Sequence, residues 1–228
     1  MMNDNNPLDL QAIRHEWSKI NCIFLDMDGT LLDLHFDNYF WLEHVPKCYA
    51  TKWGISEQTA KLELTQRYRA IQGQLEWYCL DYWRTELEMD IVAMKHEVSD
   101  RIAVRAKVEK FLAFLKTDDK QLVLLTNAHR DSLSLKFEYT AIEGYFDRII
   151  SAHDLGFAKE HEEFWQTLQK KLSFQAKQSL LIDDNRDVLD NAYQWGIRYL
   201  LGIRQPDSQQ APKPLGIFPE VHCFSELM

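Results

Sequence analysis

Apolar and polar positions follow two rhythms along the chain. Short, mostly apolar runs fall at residues 22–25, 122–125, 149–150, 179–182 and 199–201. Runs of this length, without a polar residue at every second position, predict strands covered on both faces. Between them the apolar positions recur at helical spacing: Val104, Val108, Phe111, Leu112 and Leu115, then residues 133–139 and 162–172. A last helix runs to Trp195, with Gly196 as its C-terminal stop, and a short leading helix spans residues 8–17. Strands separated by helices predict an α/β fold, a Rossmann-like parallel sheet with helices on both faces.

The alternation breaks once. From residue 35 to 100 strand signals vanish, and Leu62, Leu64, Tyr68 and Ile71 follow Ser56, which is read as an N-cap. Gly73 punctuates, and Leu75, Tyr78, Cys79 and Tyr82 resume helical spacing. The expected organisation is a core made of residues 1–33 and 104–228, with a helical insertion over 34–103. Beyond Gln205 four prolines (Pro206, Pro212, Pro214 and Pro219) interrupt any period, which predicts a surface-hugging tail.

Composition narrows the function classes. The chain has 228 residues, 46% hydrophobic and 27% charged, enough for a sizeable core. Its net charge of −9 disfavours binding to nucleic-acid backbones. The longest apolar run, residues 111–115, is far short of the roughly 20 residues that span a bilayer, so no membrane partner is expected. The first ten residues carry Asp4 and Asp9 and no basic residue, unlike an export signal. Cys22, Cys48, Cys79 and Cys223 form no C-x-x-C pair, which fits free thiols in a reducing cytoplasm.

Ligands of an open parallel sheet collect beyond the carboxyl ends of its strands. Asp26 and Asp28 follow the first run, and Thr126 and Asn127 end the second. Ser151, with Lys159 shortly after, follows the third, and Asp183-Asp184 the fourth. Four carboxylates, two hydroxyls and an ammonium at or just after strand ends point to phosphoryl chemistry. A carboxylate such as Asp26 can attack phosphorus, and a second one two residues on, Asp28, can serve as general acid and then as base for water. Clustered carboxylates facing a phosphate call for a hard cation such as Mg2+, which takes oxygen ligands. Thr126, Asn127 and Lys159 are the candidate phosphate binders, with Lys159 offsetting charge on the moving phosphoryl group.

The string Asp26-Met27-Asp28-Gly29-Thr30-Leu31-Leu32-Asp33 resembles the signature of haloacid-dehalogenase-like (HAD) phosphohydrolases, and Thr126, Lys159 and Asp183-Asp184 follow in that family's order. The resemblance implies an aspartyl-phosphate intermediate on Asp26. It also implies Mg2+ held by Asp26, the backbone carbonyl of Asp28 and Asp184, with Asp183 in the outer shell, and a cap formed by the insertion. Glu160 departs from the pattern, standing where relatives often carry proline.

A closer resemblance is to bacterial GMP/IMP nucleotidases, carried by residues 32–34, 36–41, 77–83 and 196–199. It implies a small-molecule substrate, a purine nucleoside 5′-monophosphate. Asn38, Tyr39, Trp41 and Asp81 are then candidates for reading the base, although aromatic strings at this spacing also suit packing within the insertion. Other readings use the same core: a phosphatase acting on sugar phosphates or phosphoglycolate, a mutase, or a non-enzymatic phosphate-sensing protein. Dehalogenation would leave Asp28 and the metal carboxylates idle. A receiver module would be shorter and lack the insertion.

Overall fold

The computed structural model describes residues 7–228; residues 1–6, where the segment read as carrying no export signal begins, lie outside the described residues. The apolar runs form a six-stranded sheet: β1 (Cys22–Leu25), β2 (Gln121–Thr126), β3 (Arg148–Ser151), β4 (Ser179–Asp183), β5 (Tyr199–Ile203) and β6 (Glu220–Val221). The order is β3-β2-β1-β4-β5-β6, and every neighbouring pair is parallel. The helices are α1 (Leu10–His15), α2 (His35–Tyr39), α3 (Val45–Trp53), α4 (Glu57–Ile71), α5 (Leu80–Leu87), α6 (Ile91–His96), α7 (Val108–Leu115), α8 (Arg130–Glu138), α9 (Glu162–Lys171) and α10 (Arg186–Trp195).

Alternate strand residues enter two apolar clusters. Ile23, Leu25, Leu122, Leu124, Leu180 and Ile182 pack with Val108, Phe111 and Leu112 of α7. Phe24, Val123, Leu125 and Leu181 pack with residues of α9 and α10. Both faces are covered, which is why these strands carry no polar alternation. The strand order reverses between β1 and β4, so their carboxyl ends open into a crevice.

Residues 35–101 are helical and enclose their own apolar cluster, including Phe36, Phe40, Leu64, Tyr68 and Trp83. Ser56 caps α4 by accepting from Thr59 N at 3.0 Å. The chain enters and leaves this layer through two adjacent passages: Asp33 N donates to Ala103 O at 2.9 Å and Arg105 N to Leu31 O at 3.0 Å. Val104 therefore forms an antiparallel bridge with Leu32 instead of opening a helix. Helix α7 begins at Val108, after Lys107 turns through a left-handed conformation (φ 68°).

The tail does more than hug the surface. Its β6 extends the sheet, and Leu215 and Phe218 are buried. Near residue 206 it lies against the two passages: Arg105 Nη1 donates to the carbonyls of Gln205 (2.6 Å) and Pro206 (2.9 Å), and Leu34 N donates to Pro206 O (3.0 Å). Among the described residues, no helix is long and apolar enough to cross a membrane.

Candidate active site

A cavity of about 670 Å³ opens at the carboxyl ends of β1, β2 and β4. After β1 the backbone turns tightly: Leu31 N and Leu32 N both donate to Met27 O, at 2.9 and 2.8 Å, and Gly29 N donates to Leu32 O at 2.9 Å. Gly29 has φ +90°, and a Cβ there would sit 2.5 Å from Asp184 Oδ2. Only glycine lets the loop lie against that carboxylate.

Lys159 is the centre of the acidic group. Its buried Nζ donates to Asp26 Oδ1 at 2.6 Å, to Asp183 Oδ2 at 2.7 Å and to Leu125 O at 3.2 Å. Burial alone would depress this ammonium, but Asp183 and Asp26 outweigh it and raise its pKa. Burial pushes the Asp26 carboxyl up to about 6, against the pull of Lys159 and with a further push from Asp183. Burial, with Asp26 and Asp183 beside it, raises Asp184 well above the ordinary carboxylate range.

Carboxylate oxygens of Asp26, Asp183 and Asp184 lie within 4.8 Å of one another. Three acidic groups face one ammonium here, and Asp26 Oδ2 is buried without a hydrogen-bond partner. An unsatisfied oxygen, excess negative charge and an all-oxygen donor set fit a hard cation such as Mg2+. Asp183 is the most constrained of the three, since its Oδ1 also accepts from Asn185 N at 2.9 Å.

The Asp28 side chain turns away from this group. Its Oδ1 lies 2.6 Å from Nζ of Lys136, a buried lysine on α8. Burial pushes the Asp28 carboxyl up to about 6, opposed by Lys136 and reinforced by Asp37 and Asp26. Lys136 also donates to Asp37 Oδ2 at 2.7 Å, and buried Lys95 donates to Asp37 Oδ1 at 2.7 Å. Burial would raise the Asp37 carboxyl, but the two lysines hold it far below its ordinary value.

Thr126 and Asn127 are buried at the end of β2. Thr126 Oγ1 accepts from Ala128 N at 3.0 Å, and Asn127 Oδ1 accepts from Lys159 N at 2.9 Å. Glu160 joins three elements: it accepts from Asn127 Nδ2 (2.8 Å), Asn185 Nδ2 (3.1 Å) and the hydroxyl of Tyr78 in the helical layer (2.5 Å). Ser151, by contrast, donates to Ala128 O at 2.7 Å and accepts from His153 N, so it supports the loop from outside the cavity.

Of the four residues proposed to read the base, Asn38 and Trp41 line the cavity. Asn38 Nδ2 donates to Asp207 Oδ2 of the tail at 2.7 Å. Tyr39 is one position further along the helix and points elsewhere, under the Arg101 guanidinium at 3.7 Å from the ring centre. Asp81 pairs with Arg84 at 2.9 Å, and its side chain is 55% exposed. Neither Tyr39 nor Asp81 reaches the cavity wall. Sequence reasoning missed Lys95, Lys136, Trp77 and the tail residues Asp207, Gln210 and Lys213, all of which line it.

A family model described as a haloacid dehalogenase-like hydrolase matches residues 20–188. The chain is 41% identical over 212 residues to the GMP/IMP nucleotidase YrfG of Escherichia coli, covering 93% of this chain and 96% of that one. Among solved structures, an HAD phosphatase from Thermococcus onnurineus superposes with a TM-score of 0.77 at 17% identity, over 91% of this chain and 96% of that one. The L-2-haloacid dehalogenase of Xanthobacter autotrophicus shares the fold more distantly, with a TM-score of 0.57 at 16% identity over 81% and 78% of the two chains.

Proposed function

The chain belongs to the haloacid dehalogenase-like hydrolases, and from that footing we propose that it is a magnesium-dependent phosphomonoesterase acting on purine nucleoside 5′-monophosphates. The observation that carries the reading is the meeting of Asp26, Asp183 and Asp184 at the ends of the adjacent strands β1 and β4 with Lys159 from the loop after β3, one Asp26 oxygen being unpartnered. That oxygen, Oδ2, is the nucleophile. Residues 34–103 act as a cap over the core, and the cavity between them, about 670 Å³, lies within the range of about 300–1,000 Å³ usual for small-molecule sites.

The reaction runs in two steps. Asp26 Oδ2 forms a bond to phosphorus while the bond to the ribose 5′-oxygen breaks, and Asp28 gives its proton to that departing oxygen. Thr126 and Asn127 hold the phosphoryl oxygens, and Lys159 fixes Asp26 for attack and offsets the charge that spreads over them. In the second step Asp28, now a carboxylate, takes a proton from water, which displaces Asp26 and releases phosphate. Mg2+ held by Asp26, Asp184 and the Asp28 carbonyl, with Asp183 in support, would supply positive charge against the repulsion between carboxylates and substrate.

The core handles a group common to every phosphomonoester, so selection among substrates falls to the cavity's other walls. Trp41 and Trp77 offer flat apolar surface, while Asn38 and Asp207 supply polar edges. The purine reading also draws on the identity with a GMP/IMP nucleotidase along nearly the whole chain. Phosphate release from a panel of nucleotides and sugar phosphates, with Mg2+ and with EDTA, tests it. IMP and GMP are expected to exceed AMP in kcat/KM by about tenfold or more, since an unpaired buried polar group costs about 1–3 kcal/mol. Equal rates across bases, or faster turnover of a small sugar phosphate, overturns the substrate; full activity in EDTA overturns the metal.

A further inference from the structure

Four charges of alternating sign, two buried lysines and two half-buried aspartates, run from the cap into the core: Lys95, Asp37, Lys136 and Asp28. Lys95 and Asp37 lie on α6 and α2 of the helical layer, Lys136 on α8 of the core, and Asp28 in the loop after β1. Each Asp37 oxygen takes one ammonium, Lys95 Nζ on Oδ1 and Lys136 Nζ on Oδ2, both at 2.7 Å. Lys136 completes the row at 2.6 Å from Asp28 Oδ1. Both lysine side chains are almost fully buried, at 2% and 1% exposure, so solvent does not screen these contacts. The stem of Lys95 is also confined, with Nζ 4.8 Å from the ring centres of both Phe36 and Phe40.

Resting on the reading of Asp28 as general acid, we propose that Asp37 is a positioning residue of this enzyme: through Lys136 it fixes the Asp28 carboxyl group in the orientation that delivers its proton to the leaving oxygen. Lys136 is the only side-chain partner within 4.0 Å that forms an ion pair with Asp28 among the described residues. A lysine has four rotatable side-chain bonds and holds another group in place only if its own end is pinned. The second carboxylate on Lys136, that of Asp37, pins it, and Lys95 pins Asp37 in turn. Because Asp37 belongs to the cap, the acid is held only while cap and core are in contact across this pair.

The inference separates from a purely structural role by leaving group. Protonation matters for the alkoxide of a nucleoside and little for 4-nitrophenolate, a stable anion. The quantity to compare is kcat/KM, which covers steps up to departure of the first leaving group and is blind to later hydrolysis of Asp26. General acid catalysis contributes about 10²–10⁴-fold, so Asp37→Asn is expected to lower kcat/KM for IMP by about 30-fold or more and for 4-nitrophenyl phosphate by less than about 5-fold. In an Asp28→Asn background the same substitution should add less than about 3-fold, because the two residues act as one unit. If Asp37→Asn alone does not fold, Asp37→Asn combined with Lys95→Met removes one charge of each sign, and the same comparisons apply.

Equal losses for the two leaving groups, or a full loss on top of Asp28→Asn, overturns the inference. So does Asp37→Asn at the wild-type rate while Asp28→Asn is slow, a result that leaves the proposed reaction standing. Asp28→Asn at the wild-type rate overturns the acid role itself, and the positioning of Asp37 with it.

Discussion

Replacing Lys159 by methionine keeps an unbranched side chain of similar reach and removes only the charge. In the native site the ammonium answers Asp26, Asp183 and the Leu125 carbonyl, all from a position 2% exposed. Removing one partner of a buried ion pair destabilises by about 3–5 kcal/mol. For a chain of this size each kcal/mol shifts Tm by about 2–4 °C, so the fall should be about 6–20 °C at pH 8. The loss depends on pH with a definite sign. Burial has already raised Asp26 to about 6, and without Lys159 it goes higher. A carboxyl raised on folding contributes its stability fully below its unfolded value and loses it as pH rises through the folded one. The variant should therefore lie closer to wild type at pH 5 than at pH 8. Mg2+ should raise its Tm more than that of wild type, since the cation compensates the same carboxylates. Turnover should fall by about 10²–10³-fold, as when a charge-stabilising donor is lost. Thermal melts at the two pH values, with and without Mg2+, read all of this. A variant within 2 °C of wild type throughout, indifferent to pH and metal, would refute the placement of Lys159 as counter-charge, an outcome outside the range of about 6 °C or more required here.

Further outcomes follow from single groups. Asp26→Asn should abolish phosphate release while the protein still binds substrate, measured by calorimetry, because the unpartnered oxygen is the one removed. Gly29→Ala places a methyl group 2.5 Å from Asp184 Oδ2 in a left-handed backbone. Backbone strain of about 1–3 kcal/mol should lower Tm, and displacement of Asp184 should raise the Mg2+ concentration for half-maximal activity about tenfold or more. Far from the cavity, Lys19, Tyr199 and Arg198 hold the half-buried Glu16 carboxyl down to about 2. Its contribution is present above the unfolded value near 4.5 and lost as pH falls towards 2. The Tm gap between wild type and Glu16→Gln should hold steady above pH 5 and close below it, as scanning calorimetry would record.

The sheet and its carboxylates were legible because a buried parallel strand is a continuous apolar run, and the first polar residue after it marks the ligand-facing edge. Asp26, Thr126 and Asp183 could be read that way with no knowledge of the fold. Lys95 and Lys136 could not. Each sits on a short helix, where a lysine is by default solvated, and only the meeting of α2, α6 and α8 buries them. The four candidate base readers divided along the same line. Asn38 and Trp41, three positions apart on a helical stretch, both line the cavity, while Tyr39 between them does not. The wall formed by residues 206–215 has no period to read. It is fixed by contacts to Leu34, Asn38 and Arg105, more than 90 positions away in the chain.

That wall bears on how specificity can be recombined among relatives. A chimera that exchanges residues 34–103 alone would bring a foreign roof onto the native side wall and break the Asn38–Asp207 hydrogen bond across the seam. The smallest segment set that inherits a complete cavity is discontinuous: the helical insertion together with the stretch after β5. Grafts made on that pattern, with β1, β2 and β4 untouched, would carry substrate preference as one unit while the recipient kept its own phosphoryl-transfer residues.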